Sequence, residues 1–222
     1  MKLRIDLHLH TAYSRDGYIS VEEAFRRCRA VGLDGFALTD HDTIEGVKRA
    51  ERLKGDLLLI PGLEVTADRG HILALNISEL IPPKLSIPET VERIREQGGI
   101  SILAHPSSLL KTFIGEEEIA EARFTALEVA NSMSFPYNWT FRRNLKMAER
   151  LRLPKTGGSD AHIPEIVGRA YTILDADSRD SEDVIRAIGR GYTEPSGGGI
   201  TLKERFKQLS RKIFSPAGES IR

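Results

Sequence analysis

The stretch Leu3-Arg4-Ile5-Asp6-Leu7-His8-Leu9-His10-Thr11 begins apolar and runs into two histidines spaced i, i+2. On an extended backbone, residues so spaced point to the same side. His8 and His10 would therefore aim two ring nitrogens at one place, with Leu7 and Leu9 facing away. Leu3 to Ile5 reads as a first strand. The H-x-H pair that follows is either the start of a metal site or two ordinary strand residues, and the rest of the chain decides between them.

Working outward, strand after strand runs into a polar motif. Ser20 with Glu23 forms a capping box for a helix to about Arg29, which Gly32 ends. Gly35 to Thr39 is an apolar strand leading into Asp40-His41-Asp42. Thr43 caps a helix from about Ile44 to Leu53, stopped by Gly55. Leu57 to Ile60 is a strand running into Pro61-Gly62-Leu63-Glu64-Val65, and His71 opens a returning strand, Ile72 to Leu75. Ser86, Pro88 and Glu89 mark a helix start. Ile100 to Ala104 is a strand before His105-Pro106, and a polar helix covers Glu116 to Ala122. Leu127 to Ala130 is a strand carrying Glu128, residues 138–151 form a basic helix, and Lys155 to Gly158 leads into Ser159-Asp160-Ala161-His162. Tyr171 to Leu174 is a strand, and Ser181 caps a helix from Glu182 to Ile188.

About seven strand–helix units without an internal linker predict an α/β class with a largely parallel sheet. The run Gly197-Gly198-Gly199 is the clear linker, which divides the chain into a barrel over 1–195 and a segment over 196–222. That segment holds a helix, Thr201 to Phe214, with Leu202, Phe206, Leu209 and Ile213 on one face and Lys203, Arg205, Lys207, Arg211 and Lys212 on the other. The expectation is that it docks across the barrel by its apolar face. Contact with a partner, an anionic substrate or a membrane surface is the alternative.

The 222 residues suit one α/β barrel. The 32 acidic and 32 basic residues balance, which argues against a strongly basic nucleic-acid footprint and leaves room only for a local patch. No run of 18 apolar residues predicts a membrane span. The start lacks a signal-peptide pattern. Cys28, the single cysteine, falls on the helical stripe Val21, Ala24, Phe25, Cys28, Val31 and reads as a buried thiol. A cytoplasmic protein is expected; the oligomeric state is not legible.

Of the six histidines, His8, His10, His41, His105 and His162 follow predicted strands and His71 opens one. Asp16, Asp40, Glu64, Glu128 and Asp160 occupy the same kind of position. In a barrel of parallel strands such positions converge on one rim. Any one of these histidines alone could be a satisfied polar residue, but their shared placement favours a site. Mixed imidazole and carboxylate ligands suit Zn²⁺, Mn²⁺ or Fe²⁺ rather than Ca²⁺ or a thiolate centre. Nine candidates (His8, His10, Asp16, His41, Glu64, His71, His105, Asp160, His162) exceed what one ion can use, so two or three divalent ions with a bridging carboxylate are expected. Such clusters activate water and clamp the oxygens of an in-line phosphoryl displacement. Phosphoester hydrolysis leads, with amide or lactone hydrolysis on an amidohydrolase-like barrel as runner-up.

In order along the chain, Asp6-Leu7-His8-Leu9-His10-Thr11, Ser14 to Gly17, Leu38-Thr39-Asp40-His41-Asp42, Pro61 to Val65, Gly70 to Leu75, Ala104-His105-Pro106, Glu128 to Asn131 and Gly158 to His162 form an ordered set. With these motifs the chain resembles the polymerase and histidinol phosphatase (PHP) family of metallophosphoesterases, from Met1 to about residue 195. The resemblance implies a distorted (β/α)7 TIM-like barrel with the metal site at the C-terminal strand ends. It assigns His8, His10, Glu64 and Asp160 to a first ion, Asp16, His41 and His162 to a second, and Glu64, His71 and His105 to a third, with Glu64 bridging; because metal binding lowers the pKa of water, a hydroxide between the first two ions is the expected nucleophile. Some members have a histidine where this chain has Asp16, and a carboxylate there favours Mn²⁺ or Fe²⁺ over Zn²⁺.

Asp40 is expected to accept a ligand imidazole N–H, or else to serve as a turn or capping carboxylate. Glu128 and Asn131 either line the mouth or are structural. Arg169 and Arg15 are candidates for a substrate phosphate, with Ser107 and Ser108 weaker ones. The expected substrate is a small phosphomonoester such as a nucleotide, sugar phosphate or histidinol phosphate. A phosphodiesterase or exonuclease acting on oligonucleotide ends is the alternative, motivated by the basic stretch Arg142 to Arg152. A non-catalytic metal-binding module would be expected to have lost ligands, and none is missing here.

Overall fold

The strand that carries the opening motif, β1 (Lys2–Leu9), is third from one end of a nine-strand sheet. The computed structural model describes residues 1–53, 57–107 and 114–214, so the Gly55 helix stop and Ser108 lie outside the described residues. After β1 come α1 (Val21–Ala30), β2 (Gly35–Leu38), α2 (Glu45–Glu51), β3 (Leu58–Thr66), β4 (His71–Leu75), α3 (Ile87–Glu96) and β5 (Ile100–Leu103). Then follow α4 (Glu116–Ala122), β6 (Ala126–Asn131), α5 (Tyr137–Leu151), β7 (Lys155–Gly158), a 3-10 turn (Pro164–Ile166), β8 (Ala170–Asp175), α6 (Ser181–Gly189), β9 (Thr193–Gly197) and α7 (Leu202–Phe214).

The sheet order is β7-β6-β5-β4-β3-β2-β1-β8-β9. β1, β2 and β3 are mutually parallel, as are β5, β6 and β7. β4 runs antiparallel to both β3 and β5, and β8 to both β1 and β9. Seven strands therefore share one direction, and the reversed strands β4 and β8 are inserted after β3 and β7. Reversal of β4 has a consequence for the site: it puts the strand's first residue, His71, at the rim where the neighbouring strands end.

The sheet curls until β7 meets β1. Asp160 N donates to the His8 carbonyl at 2.8 Å and His10 N to the Ala161 carbonyl at 3.0 Å. Thr172 Oγ1 of β8 accepts from Gly157 N at 2.8 Å and donates to Gly157 O at 2.9 Å. Gly158 makes this closure possible, because a Cβ there would lie 2.4 Å from His8 Cβ and 2.7 Å from His8 N.

Local chemistry accounts for most helix starts. Ser20 accepts from Glu23 N, and Ser86 with Glu89 forms a full capping box with Pro88 in the first turn. Two expected caps fall elsewhere. Ile44, not Thr43, is the N-cap of α2, and Thr43 Oγ1 only accepts from Glu45 N in the preceding turn. Asp180 rather than Ser181 caps α6, its carboxylate accepting from Glu182 N at 2.8 Å. A negative acceptor at a helix N-terminus also complements the helix dipole. β1 and β3 extend past their apolar cores through Leu9 and Thr66, because strand pairing continues into the polar motifs. β9 was not expected: Thr-Glu-Pro-Ser-Gly is poor strand sequence, tolerated at the end of a sheet where Pro195 removes no interior ladder bond.

Cys28 is fully buried, and burial raises its thiol pKa. Among the described residues no helix is long and apolar enough to cross a membrane. The expected docking of the C-terminal helix is reversed. Leu202, Phe206, Leu209 and Ile213 of α7 are exposed, and its polar side meets the barrel.

Candidate metal centre

Strand alternation aims the first ligands. Asp6 and His8 share one side of β1, His10 follows in the same register, and all three are fully buried. Glu64 projects from β3, which extends past Ile60 to reach the rim. His41, His105 and the pair Asp160 and His162 follow β2, β5 and β7, and Asp16 comes from the loop after β1. His105 and Asp160 hold left-handed backbone conformations, with φ of 32° and 53°. Non-glycine residues rarely adopt these, and they concentrate where a side chain must be re-aimed at a functional site.

The centre is organised on Glu64, whose two oxygens serve different histidines. Oε2 lies 3.2 Å from each of His8 Nε2, His10 Nε2 and His41 Nδ1. Oε1 lies 2.7 Å from His71 Nδ1 and 2.9 Å from His105 Nε2. Asp160 Oδ1 approaches His10 Nε2 at 3.2 Å and His8 Nε2 at 3.5 Å. Asp16 Oδ1 sits 3.4 Å from His162 Nε2 and 3.8 Å from His41 Nε2.

Hydrogen bonds behind the rings fix which nitrogen is free. His8 Nδ1 is 2.9 Å from Glu128 Oε1, so that nitrogen carries a proton and Nε2 is the one turned to the cluster. His10 Nδ1 is 3.0 Å from Ser14 Oγ, which itself donates to Asp40 Oδ1 at 2.9 Å. His10 Nε2 is therefore also the nitrogen turned to the cluster, and the two Nε2 atoms lie 3.1 Å apart. His162 Nδ1 donates to the Asp160 carbonyl, which leaves Nε2 toward Asp16.

This donor set fits divalent cations. Imidazole nitrogens and carboxylate oxygens converge in a buried place, where the carboxylates call for positive charge that either protons on the imidazoles or bound cations can supply. Among the described residues, buried Asp16 Oδ1 and His41 Nδ1 have neighbours in ion-pair range but no well-aligned hydrogen bond. Burial opposes charging His10, yet hydrogen bonds to Asp160 and Glu64 prevail and raise its pKa to about 9. His8 is raised well above its usual value against the same burial penalty by Asp160, Glu128 and Glu64. Burial disfavours ionised Glu64 and Asp160, but the surrounding imidazoles hold both well below the carboxylate range. Burial pushes His41 down to about 3, keeping it neutral and able to ligate.

All nine predicted ligands meet at this rim. Ligand atoms of His8, His10, Glu64 and Asp160 lie within 4.8 Å of one another, as do those of His10, His41 and His162 and those of His41, Glu64 and His71. The contacts of Asp16 with His162 and His41, and of Glu64 with His71 and His105, also bring together the residues of the expected second and third sets.

Several supporting residues had weaker sequence signals. Glu128 is fully buried, where it holds His8 and accepts from His105 N at 2.9 Å and from Asn131 Nδ2 at 3.0 Å. Asn131 Nδ2 also donates to Asp160 Oδ2 at 3.1 Å. Neither residue is a mouth-lining group. Asp40 does not touch a ligand imidazole. It accepts from Thr11 N and Oγ1 and reaches His10 only through Ser14. Asp6 accepts from Ser159 N at 2.8 Å and Gly168 N at 3.0 Å, and burial raises its pKa to about 6. Among the phosphate candidates, Arg15 is exposed beside Asp16, whereas Arg169 is engaged by Glu204 of α7. Ser107 is buried, and its hydroxyl has no partner among the described residues.

A barrel-shaped sheet that gathers its imidazoles and carboxylates on one rim, around a carboxylate shared between two groups of histidines, defines a metal-dependent hydrolase. Comparison with known proteins narrows that class. Residues 139–193 match the PHP-associated family. An uncharacterised protein of Methanocaldococcus jannaschii is 34% identical over 142 residues, covering 59% of this chain and 82% of that protein. A protein of Haemophilus influenzae named 5'-3' exoribonuclease is 30% identical over 138 residues, covering 59% of this chain and 50% of that one. In structure, a two-domain protein from Bacteroides vulgatus containing a predicted PHP-like metal-dependent phosphoesterase aligns with a TM-score of 0.72 at 22% identity, over 96% of this chain and 70% of the other. The chain belongs to the PHP family of metal-dependent phosphoesterases.

Proposed function

We propose that this phosphoesterase releases phosphate from a small phosphomonoester at a centre of two or three divalent ions. The observation that carries the reading is the division of Glu64, with Oε2 toward His8, His10 and His41 and Oε1 toward His71 and His105. A carboxylate so placed would have an oxygen to offer to each of two cations. His8, His10, Glu64 and Asp160 would hold one ion, Asp16, His41 and His162 a second, and Glu64, His71 and His105 a third. When bound, such ions acidify a water to serve as nucleophile and neutralise charge on the phosphoryl oxygens. The oxygen donor of Asp16 tilts the second position toward Mn²⁺ or Fe²⁺.

The chain's own residues supply orientation. Glu128 and the Ser14–Asp40 pair hold the Nδ1 protons of His8 and His10, so both Nε2 atoms stay available as ligands. Asn131 steadies Asp160 from behind. Arg15, exposed and adjacent in the chain to Asp16, would be the cation for an incoming phosphate. Purified protein supplied with Mn²⁺ should turn over members of a phosphomonoester panel. His8→Ala and Asp160→Ala should lose that turnover and metal content together, while full activity in folded variants would refute the assignment.

A second reading, phosphodiester cleavage at oligonucleotide ends, draws on the relative named as an exoribonuclease. Exposed Phe135 and Trp139, each with an arginine over its ring, could stack bases. Turnover of a short single strand in preference to a mononucleotide would favour it.

A further inference from the structure

Asp6 is a fully buried carboxylate that belongs to no ligand grouping among the described residues. It accepts from backbone N–H groups on β1, on the segment after β7 and on the turn before β8. Oδ1 takes Ser159 N at 2.8 Å and His8 N at 3.3 Å, and Oδ2 takes Gly168 N at 3.0 Å. Ser159 immediately precedes the ligand Asp160, whose own N donates to the His8 carbonyl at 2.8 Å. One side chain thus joins the strand of His8 and His10 to the segment of Asp160 and His162, and both to the turn that leads into β8.

The two places it holds are both irregular. Asp6 pairs with Phe36 and Leu9 with Leu38, so β1 carries one residue more than β2 across this interval. Such a bulge interrupts the ladder, bends the strand and is used beside active sites to re-aim a side chain. Side chains satisfy its amides here: Thr39 Oγ1 accepts from Leu9 N at 3.0 Å, and Asp6 Oδ1 accepts from His8 N. Across the seam, Asp160 has φ of 53°, a conformation that a non-glycine residue keeps only where its surroundings fix it. Regular strand pairing is interrupted at both ligands, and the Asp6 carboxylate supplies an acceptor beside each.

We propose that Asp6 is a positioning residue of the metal centre. Its Oδ1 holds His8 and Asp160 at the separation that one ion between them requires, and Oδ2 anchors the same carboxylate to Gly168. Three of the four expected ligands of the first ion, His8, His10 and Asp160, stand on the two segments it joins. An acidic side chain suits this place, because an ionised carboxylate offers acceptors on both oxygens and no donor. Asn would keep one oxygen and turn an NH2 group toward an N–H donor. The proposal rests on the metal-centre reading, and the test below separates the failure of one from the failure of the other.

The test uses the full chain, stripped by a chelator, with Co²⁺ alone as the probe, because its visible spectrum reports coordination geometry. Folded Asp6→Asn should bind the first Co²⁺ at least about tenfold more weakly than the parent, with a changed spectrum. Thr172→Val removes two hydrogen bonds between β8 and Gly157 of β7. It should lose stability in denaturant yet keep the parent's Co²⁺ affinity and spectrum, which separates positioning from general loosening of the barrel. Parent-like affinity and spectrum in folded Asp6→Asn would overturn the proposal, as would equal losses in Thr172→Val. If Asp6→Asn does not fold, hydrogen exchange of the parent decides: the amides of Ser159 and Gly168 should be as protected in the chelated chain as in the Zn²⁺-loaded chain. Protection that appears only with metal would overturn the proposal. A parent that takes up no Co²⁺ would overturn the metal-centre reading and this proposal with it.

Discussion

Glu128 touches two ligand residues without joining the ligand cluster. It fixes the His8 tautomer through one oxygen and receives His105 N and Asn131 Nδ2 on the other. Gln at this position can still accept from His8, but its amide N–H groups then oppose the two remaining donors. Loss of such a supporting partner typically weakens metal binding by about 10–100-fold. Glu128→Gln should show that loss in a competition titration with a chromophoric chelator, with the helical circular dichroism unchanged. Unaltered affinity would reduce Glu128 to a packing role.

The ligands were legible in the sequence, because strand alternation and the recurring strand-to-polar junctions announce them locally. Their supports were harder to read, since Glu128 lies 120 residues from His8 and only barrel closure brings the two together. The same holds for Asp40. Its place at a strand end beside His41 suggests a partner for an imidazole, but the short Ser14 hydroxyl stands between it and His10.

At the scale of elements, the β1–β7 seam is where sequence and site meet. Its closeness depends on Gly158, which lies against the backbone and Cβ of His8. Ala there cannot be accommodated by a side-chain rotation, because the atoms it would strike belong to β1 itself. Gly158→Ala should cost roughly 1–3 kcal/mol in denaturant unfolding and lower metal affinity together. Wild-type stability with intact metal binding would show that the strands can part. Element types followed from periodicity and capping patterns, as in α3 and its Ser86–Glu89 box. Two things did not follow. Pro195 and Gly197 hid β9, because pairing with β8 rather than local propensity makes it a strand. Periodicity gave α7 an apolar face but not its direction, which Glu165, Arg169 and Met133 decide from distant parts of the chain.

For the whole molecule, the rim couples stability to pH and to metal. The folded-state pKa of His10 is raised from 6.5 to about 9, so its contribution is fully present below pH 6.5 and is lost as pH rises through about 9. His8 is raised in the same direction. Protein held in a chelator should therefore lose thermal stability across this interval. Divalent ions compete with those protons, so the stabilisation from a fixed Mn²⁺ concentration should grow over the same range. Thermal unfolding with and without Mn²⁺ at a series of pH values measures both effects. A metal increment that shrinks as pH rises from 6.5 to 9 would contradict this coupling.

The central claim is that Glu64 joins neighbouring ions into one centre. Electron paramagnetic resonance of the full chain titrated with Mn²⁺ tests it most directly, because exchange coupling arises only between bridged ions. The account predicts a coupled multi-ion signal at more than one Mn²⁺ per chain, replaced by isolated-ion spectra in folded Glu64→Gln. A single uncoupled Mn²⁺ per chain at saturation, or a coupled signal that persists in Glu64→Gln, would contradict it.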